Sequence, residues 1–153
     1  MILVAITVIL AILVLLLFHM PTFSNEEQKI PAIFKIISIQ HTDEHGVLTY
    51  DSYMVVLNTA DHGYKTRLIY AKTYKNGVLL NCAIPTLNGE DFVKKTHHYD
   101  VQYIRGAKGE TWYAGATIGI DYEDKTFRPG DIVTFDVLDS TTEQIISSHT
   151  FKA

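Results

Sequence analysis

Two imidazoles and two carboxylates lie within five consecutive positions, in the segment His41-Thr-Asp-Glu-His45. Side chains of these types are common ligands of zinc and other divalent metals. The helical zinc motif, however, places its glutamate directly after the first histidine and its second histidine four positions on from the first. Here the glutamate directly precedes the second histidine, and the following Gly46 is typical of a turn. The sequence therefore predicts a solvated hairpin tip and no metal site.

A second acidic group, Asp121-Tyr-Glu-Asp124, could offer carboxylates to Ca²⁺. It lacks the glycine and the regular spacing of oxygen ligands found in an EF-hand loop, so a charged turn is the favoured interpretation. The chain has no G-x-S-x-G nucleophile motif, no P-loop and no G-x-G-x-x-G dinucleotide motif. We therefore expect no catalytic residue, no cofactor and no enzymatic activity.

The charge balance is mildly acidic. The chain of 153 residues carries 13 Lys and Arg against 17 Asp and Glu, which gives a net charge of −4. Proteins that bind nucleic acid neutralise phosphates with clustered basic residues, so no nucleic-acid partner is expected. The single cysteine, Cys82, cannot form an intramolecular disulfide, and its apolar neighbours indicate a small buried hydrophobe.

The hydrophobicity of the chain is concentrated at its N-terminus. Residues 1–18 contain one polar side chain, Thr7, and the first charged residue is Glu26. A helix of about 20 residues is about 30 Å long, which matches the hydrocarbon thickness of a bilayer. A secretory signal peptide is disfavoured, because the run has no basic n-region and exceeds the usual h-region of about 7–15 residues. Two alternatives stay open: a plain membrane anchor, or a helix that leaves the bilayer to pack against copies of itself.

The run Ile2-Leu-Val-Ala-Ile-Thr-Val-Ile-Leu-Ala11 resembles the N-terminal helix of archaeal type IV pilins, and the similarity includes its lone threonine. A looser similarity to pilins of methanogenic archaea extends over most of the chain, for example at Phe127-Arg-Pro-Gly-Asp131. The resemblance implies a helix that is first a membrane anchor and then the core of a filament, together with a leader peptidase and a pilus assembly machinery. The positions that would pack in the filament core are Ile2, Leu3, Ala5, Ile6, Thr7, Ile9, Leu10, Ala11, Leu13, Leu16 and Leu17.

The remainder of the chain has the patterns of a polar linker and a β-rich domain. Residues 21–31 are predicted as the linker, because Pro21 and Pro31 stop a helix. Residues 32–153 alternate apolar β-rich runs with turn residues, which is typical of an antiparallel sandwich. Asn76-Gly77 predicts a tight hairpin, and in the last hairpin Asp136 is expected to face water. Strands are predicted over 33–41, 46–58, 66–74, 78–84, 99–104, 116–122, 131–139 and 145–151, with Val133, Phe135 and Val137 facing the core.

These patterns together predict the α+β class, with a single hydrophobic N-terminal α-helix over residues 1–20 followed by an antiparallel Ig-like β-sandwich over residues 32–153. The predicted function is that of a pilin, a structural subunit of an extracellular archaeal type IV pilus that polymerises through its N-terminal helix and serves surface attachment. Its partners would be copies of itself, and the membrane before assembly. The alternative function is a monomeric, membrane-anchored β-sandwich that acts as a binding module.

Overall fold

The computed structural model describes residues 6, 8–10, 29–43, 45–94, 100–106 and 109–153. Over these residues the chain is built mainly of β-strands, with a 3-10 helix at Thr66–Leu68 and a short α-helix at Gly89–Lys94. The strands are β1 (Phe34–Thr42), β2 (Leu48–Asn58), β3 (Tyr64–Lys65), β4 (Ile69–Lys75), β5 (Val78–Leu79), β6 (Val101–Arg105), β7 (Thr111–Trp112), β8 (Thr117–Tyr122), β9 (Ile132–Asp139) and β10 (Ile145–Lys152).

Eight of these strands form two antiparallel sheets of four strands each. The first sheet has the order β1-β2-β8-β6 and the second has the order β10-β9-β4-β5, while β3 and β7 form a separate two-stranded ribbon. Apolar side chains from both sheets pack into one core, and its largest members include Phe34, Trp112, Tyr122 and Phe135. The arrangement is a β-sandwich, as the turn spacing of residues 32–153 indicates.

Strand β9 shows how the period of two places side chains in the core. Val133, Phe135 and Val137 are fully buried, as their alternation predicts. The expectation that Asp136 is wet is wrong, because this side chain is only 7% exposed. Strand β9 lies between β10 and β4, whose Ser148 and Lys72 flank Asp136 in register. A position on the outward face of a central strand can therefore be covered by its neighbours.

The hairpin predicted at Asn76-Gly77 joins β4 to β5, and both turn residues have positive φ angles, 51° and 80°. This geometry matches a type I′ turn, for which Asn-Gly is the preferred pair. The strand after the turn is much shorter than predicted, since β5 contains only Val78 and Leu79. Ile84, the last residue of the predicted strand, makes only an isolated bridge with Ala71.

The outer edges of the two sheets meet along one side of the sandwich, where β1 lies beside β10. Two side chains of β10 accept hydrogen bonds from backbone N–H groups at the start of β1 and just before it. Ser147 Oγ accepts from the N–H groups of Ile33 and Phe34 at 3.0 and 2.9 Å. The Nδ1 atom of His149 accepts from the N–H of Ile36 at 3.1 Å. We call this contact the β1–β10 seam, and it satisfies backbone donors that an open strand edge would leave unpaired.

The predicted α+β class with one long N-terminal helix is wrong. Strands dominate the part of the chain that the structure describes, and its elements include no long apolar helix. Of the predicted helix, Ile6 and residues 8–10 are described, and these are helical. The rest of residues 1–20, and residues 21–28 of the predicted linker, lie outside the described residues. The α+β class was predicted because of a single apolar segment, whereas the ten strands of the described residues determine the class.

Candidate binding face

A row of three polar side chains crosses the first sheet on the side that faces away from the core. The strand register places Tyr53 of β2 opposite Asp121 of β8, and Asp121 opposite Tyr103 of β6. Successive side chains of a strand point to opposite faces of the sheet, so a residue whose neighbour in sequence is buried in the core points away from the core. These neighbours are Met54, Ile120 and Ile104, all of which belong to the core.

The ring of Tyr53 lies across the backbone of Gly119 in the neighbouring strand. A Cβ atom placed on Gly119 would overlap the Tyr53 hydroxyl and ring carbons, so no other residue fits here without moving that ring. The absence of a side chain at Gly119 therefore leaves room for the Tyr53 ring to lie flat on the sheet, and contact with the sheet restricts the movement of that ring. Tyr53 is half-buried in this position.

Tyr103 interacts with Asp121 in the neighbouring strand and with Arg105 in its own strand. Burial, and after it the interaction with the Asp121 carboxylate, raises the pKa of the Tyr103 phenol, so this hydroxyl stays protonated at neutral pH. Asp121 itself is 9% exposed. The exposed Arg105 lies two residues on, with its Cζ atom 4.8 Å from the centroid of the Tyr103 ring, which is cation–π distance. We call Tyr53, Tyr103, Arg105, Gly119 and Asp121 the tyrosine face.

The rim of the tyrosine face carries negative charge. Burial, followed by the charges of Asp121 and Asp124, raises the pKa of Asp51 in strand β2. Two of the acidic residues that were predicted to form one charged turn are thus separated: Asp121 lies in strand β8, whereas Asp124 is exposed in the turn after it. The field over this part of the face disfavours further anions.

The histidine-rich segment begins at the end of β1 with His41 and Thr42, and its Asp43 and His45 lie between β1 and β2. Asp43 Oδ1 accepts hydrogen bonds from the backbone N–H groups of His45 and Val47, both at 2.9 Å, so this carboxylate shapes the turn. Both ring nitrogens of His41 are buried without a hydrogen-bond partner in the described part of the chain. Glu44 lies outside the described residues. Among the residues that are described, no three His, Cys, Asp or Glu side chains are placed to hold a metal ion.

The predicted helix-packing positions fall mostly outside the described residues. Ile6, Ile9 and Leu10 are described, and each is more than half exposed, at 55%, 58% and 63%. Exposed apolar side chains on a helix are available to pack against another apolar surface. The remaining positions, which are Ile2, Leu3, Ala5, Thr7, Ala11, Leu13, Leu16 and Leu17, lie outside the part that is described.

The tyrosine face was not found by sequence reasoning, although a weak signal for it exists. In strand β2 the positions 52, 54, 56 and 58 are buried while 51, 53, 55 and 57 are half-buried, which is a period of two. That period could have placed Tyr53 outward. It could not have placed Tyr103 and Arg105 beside it, because β6 and β2 are separated in sequence and are joined only through β8.

No family model matches the chain, and no curated protein matches it. Solved structures that are similar to it include two from one archaeon. One is the archaellum periplasmic stator protein complex FlaF and FlaG from Sulfolobus acidocaldarius, at 11% identity and a TM-score of 0.45, covering 88% of this chain and 100% of that one. The other is the archaellum periplasmic stator protein FlaG from the same organism, at 8% identity and a TM-score of 0.44, covering 78% of this chain and 97% of that one.

Two predictions need correction. No family model matches the chain and the solved structures named above are of archaellum stator proteins, so the comparisons give no support for the description as a type IV pilin. The predicted transmembrane helix is wrong for the described residues, among which no helix has the length and hydropathy needed to cross a membrane. The resemblance to pilins depended mainly on ten residues, and an apolar run of that length shares its composition with apolar helices of many kinds.

Proposed function

We propose that this chain is a structural protein of the archaeal cell surface, held in an envelope or filament assembly by its apolar N-terminal segment and binding through its β-sandwich. One observation carries the proposal. A single chain joins the uncharged residues 1–18 to a β-sandwich that has the tyrosine face on its outer side. The first part requires an apolar environment and the second presents polar and aromatic groups to solvent.

The N-terminal segment supports the assembly half of the proposal. A segment that is apolar on every side is satisfied by lipid or by other apolar helices, and small residues allow two helices to approach closely. Ala5 and Ala11, with Thr7 between them, would provide such a surface. The packing positions in residues 2–17 stay a prediction, and the partners would be apolar helices of other envelope or filament proteins.

The β-sandwich supports the binding half of the proposal. Its strands hold Tyr53, Asp121 and Tyr103 in a fixed row, and rigid strands position side chains more accurately than loops do. Among the described residues, the core of the sandwich draws on positions from Ile33 to Ala153. A change in the segment should therefore leave the sandwich folded.

The test is a charge placed in the apolar segment of the full chain. Leu10→Lys should remove the protein from the envelope fraction and from its cross-linked assemblies, because a buried ammonium group is costly in an apolar environment. Leu10→Ile is the matched control and should behave as the parent chain does. Unchanged envelope association of Leu10→Lys, with unchanged circular dichroism, would refute the proposal.

A second candidate is a binding module that is anchored as a monomer. The tyrosine face favours it equally, because binding at this face needs no second copy of the chain. Chemical cross-linking on intact cells separates the two functions. Products that contain other envelope proteins support the assembly role, whereas the uncross-linked chain alone supports the monomeric module.

A further inference from the structure

We propose that the tyrosine face is a binding site for a neutral saccharide. This inference rests on the proposed surface function and names the class of ligand that the β-sandwich takes. The site consists of the rings of Tyr53 and Tyr103, the Asp121 carboxylate between them, and the Arg105 guanidinium over the Tyr103 ring.

The chemistry of the site matches that of a sugar ring. A pyranose has apolar C–H faces and a rim of hydroxyl groups, each of which both donates and accepts hydrogen bonds. Tyrosine rings offer flat apolar surfaces to the C–H face. Asp121 accepts hydrogen bonds from hydroxyl groups, Arg105 donates to them, and the phenol hydroxyls do either. The row of Tyr53, Asp121 and Tyr103 thus supplies stacking surfaces and an acceptor. Arg105, two residues on from Tyr103 in the same strand, supplies a donor.

The site is held in position before any ligand arrives. The backbone of Gly119 leaves room for the Tyr53 ring to lie on the sheet. Tyr103 lies opposite Asp121 in the strand register, and its ring is in contact with the Arg105 guanidinium. Adjacent strands are about 4.8 Å apart, so the backbones of the two tyrosines are separated by about 10 Å, the width of one or two sugar rings. Restricted side chains lose little conformational entropy on binding.

The charge around the site selects neutral saccharides over acidic ones. Asp121 and Asp124 lie near Asp51, and after burial their negative charges are the next causes that raise the pKa of Asp51. The tyrosine face has one guanidinium, that of Arg105, and it already lies over the Tyr103 ring. A uronate or a sulfated sugar would bring a further negative charge to the same place, and its binding should be weaker.

The test is a titration of the isotope-labelled full chain, held in micelles of lauryldimethylamine oxide because that detergent carries no sugar. The probes are cellohexaose, chitohexaose, maltohexaose and mannohexaose as neutral saccharides, and hexagalacturonate as the acidic comparison. At least one neutral probe should shift the amide resonances of Tyr53, Tyr103, Gly119 and Asp121. Hexagalacturonate should bind at least tenfold more weakly at low salt.

Variants then assign the binding to this face. Tyr53→Ala should weaken binding of the neutral probe at least tenfold, and Gly119→Ala should do the same by displacing the Tyr53 ring. Tyr113→Ala is the matched control, since Tyr113 is 69% exposed and lies outside the face. Arg105→Ala, at an exposed side chain, should also weaken binding and keeps the test valid if either of the other variants fails to fold.

Three outcomes would overturn the inference: no response to any neutral probe, shifts confined to another surface, or unchanged binding by folded Tyr53→Ala and Arg105→Ala. None of these outcomes would alter envelope association, which the Leu10→Lys experiment measures separately. Loss of saccharide binding with normal envelope association would thus refute the inference alone.

Discussion

Thr73 Oγ1 and the hydroxyl of Tyr122 lie 2.7 Å apart inside the core, and their hydrogen bond joins the two sheets of the sandwich. Thr73 belongs to β4 of the second sheet and Tyr122 to β8 of the first. Both residues have no exposed surface. A buried polar pair of this kind stabilises the fold only while both partners are present, because each alone would be an unpaired polar group in an apolar core.

Tyr122→Phe should therefore lower the free energy of unfolding by about 1–2 kcal/mol, since it leaves the Thr73 hydroxyl without this partner. Thr73→Val should have a comparable effect by stranding the Tyr122 hydroxyl. The double variant should lose less stability than the sum of the two single variants, which urea unfolding can measure as a double-mutant cycle. Strict additivity would show that the two hydroxyls do not act as a pair.

The stability of the sandwich should fall in mild acid because of His149. Its Nδ1 atom accepts the Ile36 N–H, so the bond requires the neutral ring. Burial, and then the charge of Lys35, lowers the pKa of His149 below its ordinary value of 6.5. A lowered pKa in the folded state means that unfolding takes up a proton. The contribution is thus complete above pH 6.5 and is lost as the pH falls through the folded-state pKa.

Thermal unfolding between pH 7.5 and 4.5 measures this effect. His149→Asn places an amide oxygen near the position of Nδ1, and it should keep the bond while removing this part of the pH dependence. An identical pH profile for the parent chain and for His149→Asn would exclude His149 as the source.

Two aspartates of strand β9 should respond in opposite directions to removal. Asp136 is 7% exposed, and its Oδ1 atom is buried without a hydrogen-bond partner among the described residues. Asp139 Oδ1, in contrast, accepts from the N–H groups of Thr141 and Thr142 at 2.8 and 2.9 Å. Asp136→Thr should raise the free energy of unfolding by roughly 1 kcal/mol, because it removes an unpaired buried oxygen and adds a β-branched side chain.

Asp139→Ala should lower the melting temperature, since it removes the acceptor that shapes the β9–β10 turn. Calorimetry of the two variants beside the parent chain provides the comparison. A loss of stability in Asp136→Thr equal to that in Asp139→Ala would contradict the assignment.

Cys82 should be an unreactive thiol in the folded protein. Burial raises the pKa of its thiol to about 11, although the nearby Thr73 side chain acts in the other direction. Alkylation proceeds through the thiolate, so reaction with iodoacetamide at pH 8 should be at least about tenfold slower than for a solvated cysteine. Mass spectrometry should find rapid labelling only after urea unfolding. Rapid labelling of the folded chain would show that Cys82 is open to solvent.

The local patterns of residues 32–153 predict most of the strands because those patterns reflect local physics. The alternation in Val133, Phe135 and Val137 and the Asn76-Gly77 turn depend on neighbours in sequence, and the structure places them as expected. The same patterns say nothing of how strands are ordered in a sheet. The burial of Asp136 and the row from Tyr53 to Tyr103 follow from cross-strand neighbours, and these are distant in sequence.

The binding face was missed for a related reason. Functional groups that lie close together in sequence, such as His41 to His45 and Asp121 to Asp124, form short motifs that can be recognised without a structure. The tyrosine face combines residues from three strands, and of these residues only Asp121 belongs to such a motif. Its clearest sequence trace is Gly119 in the middle of β8, where glycine marks a place that another group approaches closely.

The β1–β10 seam lies where a tensile load on the N-terminal side of the domain would first act. Pro31 stands at the entry of the chain into the sandwich, and its carbonyl accepts the N–H of Ser148 at 3.1 Å. The bonds from Ile33 and Phe34 to Ser147 follow directly. A tensile load transmitted through residues 1–28 would reach these bonds first and the core only afterwards. The force needed to break the hydrogen bonds of the seam would therefore set the tension that the domain withstands before β1 separates from β10.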